Sequence, residues 1–93
     1  MKAYQVRLIK EFEDVYTRFK KLLAFVKTVC DESYNYDTPL ELLLEQLDVM
    51  MRYIDILHKR FEYEGILNEV PIQAMKEKVE KEIAESQNER MFK

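Results

Sequence analysis

The chain has 93 residues with one glycine and two prolines, and it is 47% apolar and 35% charged. One small domain is the upper bound. So few turn-formers exclude an all-β fold with many tight turns and a Gly-rich phosphate loop, whereas long amphipathic helices fit. The net charge of −3 argues against binding a DNA or RNA polymer. It is unevenly spread: residues 1–30 carry +4, residues 31–69 carry −7 and residues 70–93 carry zero. A lone Cys30 and a lone His58 exclude an internal disulfide, a multi-cysteine zinc site and a His-pair metal site. No apolar run approaches the roughly 18 residues of a membrane span. Arg7, Lys10 and Glu11 interrupt any apolar leader core. These features predict a cytoplasmic protein with no cofactor and no membrane partner.

The first predicted helix runs over about residues 3–30. Ile9, Phe12, Tyr16, Phe19, Leu23, Val26 and Cys30 follow alternating spacings of 3 and 4, a heptad seam with Cys30 expected in the core. Leu8, Val15, Leu22 and Val29 flank it and widen the stripe. Periodicity stops in the polar stretch 31–37, where a turn is expected. Thr38-Pro39-Leu40-Glu41 then reads as a capping box.

The second predicted helix covers about residues 39–64, with a seam at Leu40, Leu43, Leu47, Met50, Ile54, Leu57 and Phe61 and a C-cap at Gly65. The short connection makes the two helices antiparallel neighbours. A third helix, about residues 72–90, carries the thin stripe Ile72, Met75, Val79 and Ile83, and is expected to pack weakly or fray at its end. The predicted fold is therefore all-α: a single domain over 1–93, built as a long helical hairpin plus a third helix. Leu44 and Met51 widen the second helix's apolar face beyond what one hairpin covers. That excess predicts a homo-oligomeric, coiled-coil-like bundle, with a tetramer favoured over a dimer but not fixed by the sequence.

Several polar residues sit beside the seams. Gln46, Tyr53 and Arg60 lie at spacing seven on one side of the second helix. Ring and stem packing against the core accounts for such a column, and so does a recognition strip of amide, stacking ring and guanidinium. Tyr4, Gln5, Arg7 and Glu11 stand at the start of the first helix. In an antiparallel hairpin residues 4–8 fall beside residues 60–64. The open end is therefore expected to gather Tyr4, Gln5, Arg7, Tyr53, His58 and Arg60, with few acids facing them if Glu62 and Glu64 turn away. Such a set suits a small anionic aromatic ligand, with phosphates on arginines and purines on tyrosines. His58 also follows Leu44 and Met51 in a flank column, where packing explains it. No acid–base or nucleophile constellation can be assembled, which argues against an enzyme.

These residues carry a resemblance. The opening Tyr4-Gln5-x-Arg7-x-x-x-Glu11, then Leu22 and Phe25, then Leu43-Leu44-x-Gln46-x-x-x-Met50-x-x-Tyr53-x-x-x-Leu57-x-x-Arg60, is similar to a small helical family common in tailed phages. That family is named after a reading frame of a crAss-like phage. The resemblance covers about residues 1–61 and implies a phage protein acting in the host bacterial cytoplasm. Some phage proteins of this size and shape are anti-CBASS sponges, which sequester cyclic dinucleotides such as 3′,3′-cGAMP without cleaving them. The implied function is thus immune evasion by sequestration, with Tyr4, Gln5, Arg7, Gln46, Tyr53 and Arg60 as motif residues. The alternative is a helical module that binds a host or phage protein.

Overall fold

The computed structural model describes residues 1–31 and 37–91, and side-chain surroundings over 1–29 and 37–85. The described residues form three helices, α1 (Ala3–Asp31), α2 (Leu40–Glu64) and α3 (Ile72–Met91). The fold is all-α, in the expected element order. Of the turn expected over 31–37, residues 32–36 lie outside the described residues, as does the side chain of Cys30, expected in the core.

Heptad-spaced apolar residues make α1 and α2 pack side by side and antiparallel. Phe12, Phe19 and Val26 of α1 are buried, as are Leu43, Leu47, Ile54, Leu57 and Phe61 of α2. Leu8, from the flanking column, is buried more deeply than its seam neighbour Ile9. The ring of Phe12 meets Phe61 at 5.0 Å between centroids. Each such buried side chain contributes on the order of 1.5–3 kcal/mol.

The two ends of α2 are built differently from each other. Gly65 takes the left-handed conformation (φ 67°, ψ 25°). Its N–H donates to the Glu62 carbonyl at 3.3 Å, and Ile66 N–H donates to Phe61 at 2.9 Å. This pair is a Schellman cap, and it turns Ile66 back onto the core. The expected capping box at the other end does not form. Pro39 is the N-cap residue and no side chain caps the helix. The first amide bonds instead run from Leu42 and Leu43 to the Pro39 carbonyl. Helical geometry begins one residue later than a Thr38 cap requires.

α3 packs on the α2 side, and the fraying expected at its end concerns side chains outside the described residues. Ile72 and Val79 are buried, and Met75 and Ile83 pack partly against the core. α3 runs antiparallel to α2: Ile72 lies in a groove with His58, Val79 with Met51, and Ile83 with Leu44. Lys76 reaches Asp55 at 4.0 Å and Glu82 reaches Lys27 of α1 at 3.5 Å. The Leu44–Met51 column is therefore covered within one chain, at 5% and 3% exposure. The bundle measures 52 × 23 × 16 Å. α3 closes one side of the hairpin and leaves the opposite side to solvent.

Candidate functional site

That open side carries the polar residues singled out above. The antiparallel register brings the start of α1 beside the end of α2. Tyr4 Oη donates to Glu64 Oε2 at 2.8 Å, and Gln5 Nε2 donates to the same oxygen at 3.0 Å. Gln5 Oε1 accepts from the Lys2 backbone N–H at 2.9 Å, so this amide ties the chain terminus to α2. One to two turns along, Tyr53 Oη donates to Glu11 Oε2, and Arg60 Nη1 lies 3.9 Å from the other Glu11 oxygen. Arg7 is exposed on α1 between Tyr4 and Glu11, and among the described residues it has no ion-pair partner.

These contacts set the electrostatics. The bond to Glu64 holds the Tyr4 phenol above its ordinary 10.0, helped by partial desolvation and the carboxylate charge. The Glu11 bond does the same for Tyr53, against a smaller opposing pull from Arg60. Glu64 is lowered, first by the bond from Tyr4 and then by that from Gln5, with Lys2 and Arg60 adding positive charge nearby. Both phenols are therefore neutral donors at neutral pH, with their rings still exposed.

The structure thus joins Tyr4 with Gln5 through Glu64, and Tyr53 with Arg60 through Glu11, while Arg7 is exposed on α1 and contacts none of them. Two parts of the expectation are corrected. His58 is not with them: it is half-buried on the α3 side, 3.9 Å from Glu62 and against Pro71 and Ile72. Its column is the Leu44–Met51 column, which α3 occupies. Nor does Glu64 turn away: it accepts from Tyr4 and Gln5, whereas Glu62 lies 3.9 Å from His58. Opposite residue 4 the register offers residue 64, and a phenol donates better to a carboxylate than to water. Gln46 is exposed on the Tyr53–Arg60 column but lies about 27 Å along α2 from Glu64.

One set of residues on this side was not singled out from the sequence. Leu42, Val49, Ile56 and Tyr63 are all more than half exposed. They stand at spacing seven, so the signal was present, but the stronger inner seam absorbed the periodicity. No metal-ligating cluster occurs among the described residues. No described helix is long and apolar enough to cross a membrane.

Fold and surface together define a small three-helix bundle whose hairpin presents a face of rings, amides and guanidiniums. The chain belongs to the Sequestin family, whose model matches residues 2–63. The match spans α1 and nearly all of α2, includes Tyr4, Gln5, Arg7, Glu11, Gln46, Tyr53 and Arg60, and leaves α3 outside. The family name speaks of sequestering a molecule, a binding role rather than a catalytic one. Comparison with curated proteins and with solved structures gave no significant match.

Proposed function

We propose that this protein binds and sequesters a cyclic dinucleotide, such as 3′,3′-cGAMP, without cleaving it, and that it serves a phage in evading a bacterial defence signal. One observation carries this reading: Glu64 gathers Tyr4 and Gln5, and Glu11 gathers Tyr53 and Arg60, along the hairpin, with Arg7 exposed on α1 between Tyr4 and Glu11, all inside the residues the family model matches. Arg7 and Arg60 supply charge-assisted bonds to phosphate. The rings of Tyr4 and Tyr53 offer stacking faces to purines. Glu11 and Glu64 suit a base better than a phosphate, since a carboxylate accepts from the N–H edge of guanine. A guanine-containing ligand is therefore the best match to this mixture of cations and acids. His58, on the α3 side, has no part in it. The protein works as a homo-oligomer in the host cytoplasm, since a nearly two-fold ligand suits a symmetric site.

Calorimetric titration with a panel of cyclic dinucleotides tests the reading. Saturable binding to a guanine-containing member is expected. Silence across the panel, with the protein folded, overturns it.

The exposed Leu42, Val49 and Ile56 favour a second reading, a module that docks on a host or phage protein. Recovery of one stoichiometric protein partner, with no nucleotide mass released on denaturation, selects that reading instead.

A further inference from the structure

α2 carries two seams. The inner one is buried against α1 and α3. The outer one reads Leu42, Gln46, Val49, Tyr53, Ile56, Arg60 and Tyr63, again at alternating spacings of 4 and 3. All seven residues are exposed. Scattered exposed apolar residues need no explanation, but Leu42, Val49, Ile56 and Tyr63 repeat every seven residues and form one exposed apolar stripe along α2, a surface fit for a helix partner.

An antiparallel second copy centred near Tyr53 would set Val49 against the partner's Ile56 and Leu42 against the partner's Tyr63, with Gln46 and Arg60 seven residues to either side of the centre. The charges on the flank agree. Glu45 lies toward the N-terminal half and Lys59 toward the C-terminal half, so antiparallel pairing sets Glu45 against the partner subunit's Lys59. Lys59 meets Asp55 at 3.3 Å yet stays 64% exposed. Arg52, nearest the centre, is paired with Asp48 at 2.9 Å, which tempers repulsion where two copies meet.

We infer that a second copy of this chain docks antiparallel on the outer seam of α2, about a two-fold axis near Tyr53. Val49 then packs on the partner's Ile56, and the partner's Gln46 stands beside Arg60. This resolves the separation noted above. Within one chain Gln46 and Arg60 are about 21 Å apart along α2, but across the axis they are neighbours. Gln46 gains this role only if the polar column is the binding strip proposed above. The pairing itself does not depend on that, and it is tested with no nucleotide present.

Sedimentation of the full chain at micromolar concentration is expected to give a dimer or a multiple of one. Val49→Glu and Ile56→Glu should each weaken it at least roughly tenfold with helicity retained, because each buries a charge without a partner. In a Cys30→Ala background, Val49→Cys protein mixed with Ile56→Cys protein should form a disulfide-linked pair, and neither alone should. A monomeric wild-type chain overturns the inference. So does an unchanged association constant in both glutamate variants, and so does a crosslink formed by Val49→Cys alone.

Discussion

Glu64 does three things at once: it accepts from Tyr4, accepts from Gln5, and so joins the beginning of α1 to the end of α2. Because its folded pKa lies below its ordinary value, the clasp is intact above the usual glutamate range. It is lost as pH falls through the depressed value. Tyr4 is shifted upward, so its contribution is present below about 10 and is lost as pH rises through the raised value. Side-chain NMR titration should find Glu64 protonating below the ordinary glutamate range. Glu64→Gln should return Tyr4 toward its ordinary titration, read by ultraviolet absorbance. An unshifted Tyr4 in the wild type contradicts the clasp. Its partners were nameable from the sequence, since any antiparallel hairpin puts residue 4 near residue 64. The direction in which the carboxylate points was not. A heptad pattern fixes which side of a helix a residue occupies, but a long side chain chooses its partner from whatever lies within reach.

The helices show a similar division between what pattern specifies and what it leaves open. Their bounds follow from apolar spacing and from Gly65, and the structure keeps both to within a residue or so. Gly65→Ala should cost about 1 kcal/mol, since its Cβ meets nothing within 4 Å and the left-handed backbone is the only penalty. Asn at the same position should recover part of that in thermal denaturation. Thr38→Ala, by contrast, should leave stability nearly unchanged, because no side chain caps α2. The box signature misled because it records only residue types at a spacing, whereas a cap also needs the right starting residue. α3 was undervalued for a related reason. Four apolar residues look thin on their own helix, but Ile72 and Val79 fill a groove that Leu44 and Met51 had already made apolar.

The molecule as a whole is a hairpin with one side sealed and one side open. Sealing depends on a narrow core: Phe19, Leu47 and Ile54 are all at 1% exposure or less. Phe19→Ala should cost about 3–5 kcal/mol, a large share of what a domain this size possesses. Chemical denaturation of the full chain measures it. On the open side Arg7→Ala and Arg60→Ala should leave the melting temperature nearly unchanged. Each should weaken cyclic dinucleotide binding roughly 10- to 100-fold, the loss of one charge-assisted phosphate contact. The all-α hairpin was legible because burial is periodic and periodicity is visible in a sequence. The site was legible in its residue types and only partly in its membership. His58 shares a helix with Tyr53 and Arg60 but faces α3, and a linear pattern does not say which flank a third helix will take.

Sequestration is tested most directly by stoichiometry and by the fate of the ligand. The protein in slight excess over 3′,3′-cGAMP should remove it from an ultrafiltrate, and heat denaturation should release it intact in equal amount. Free ligand passing the membrane undiminished, or linear products after release, would contradict the account.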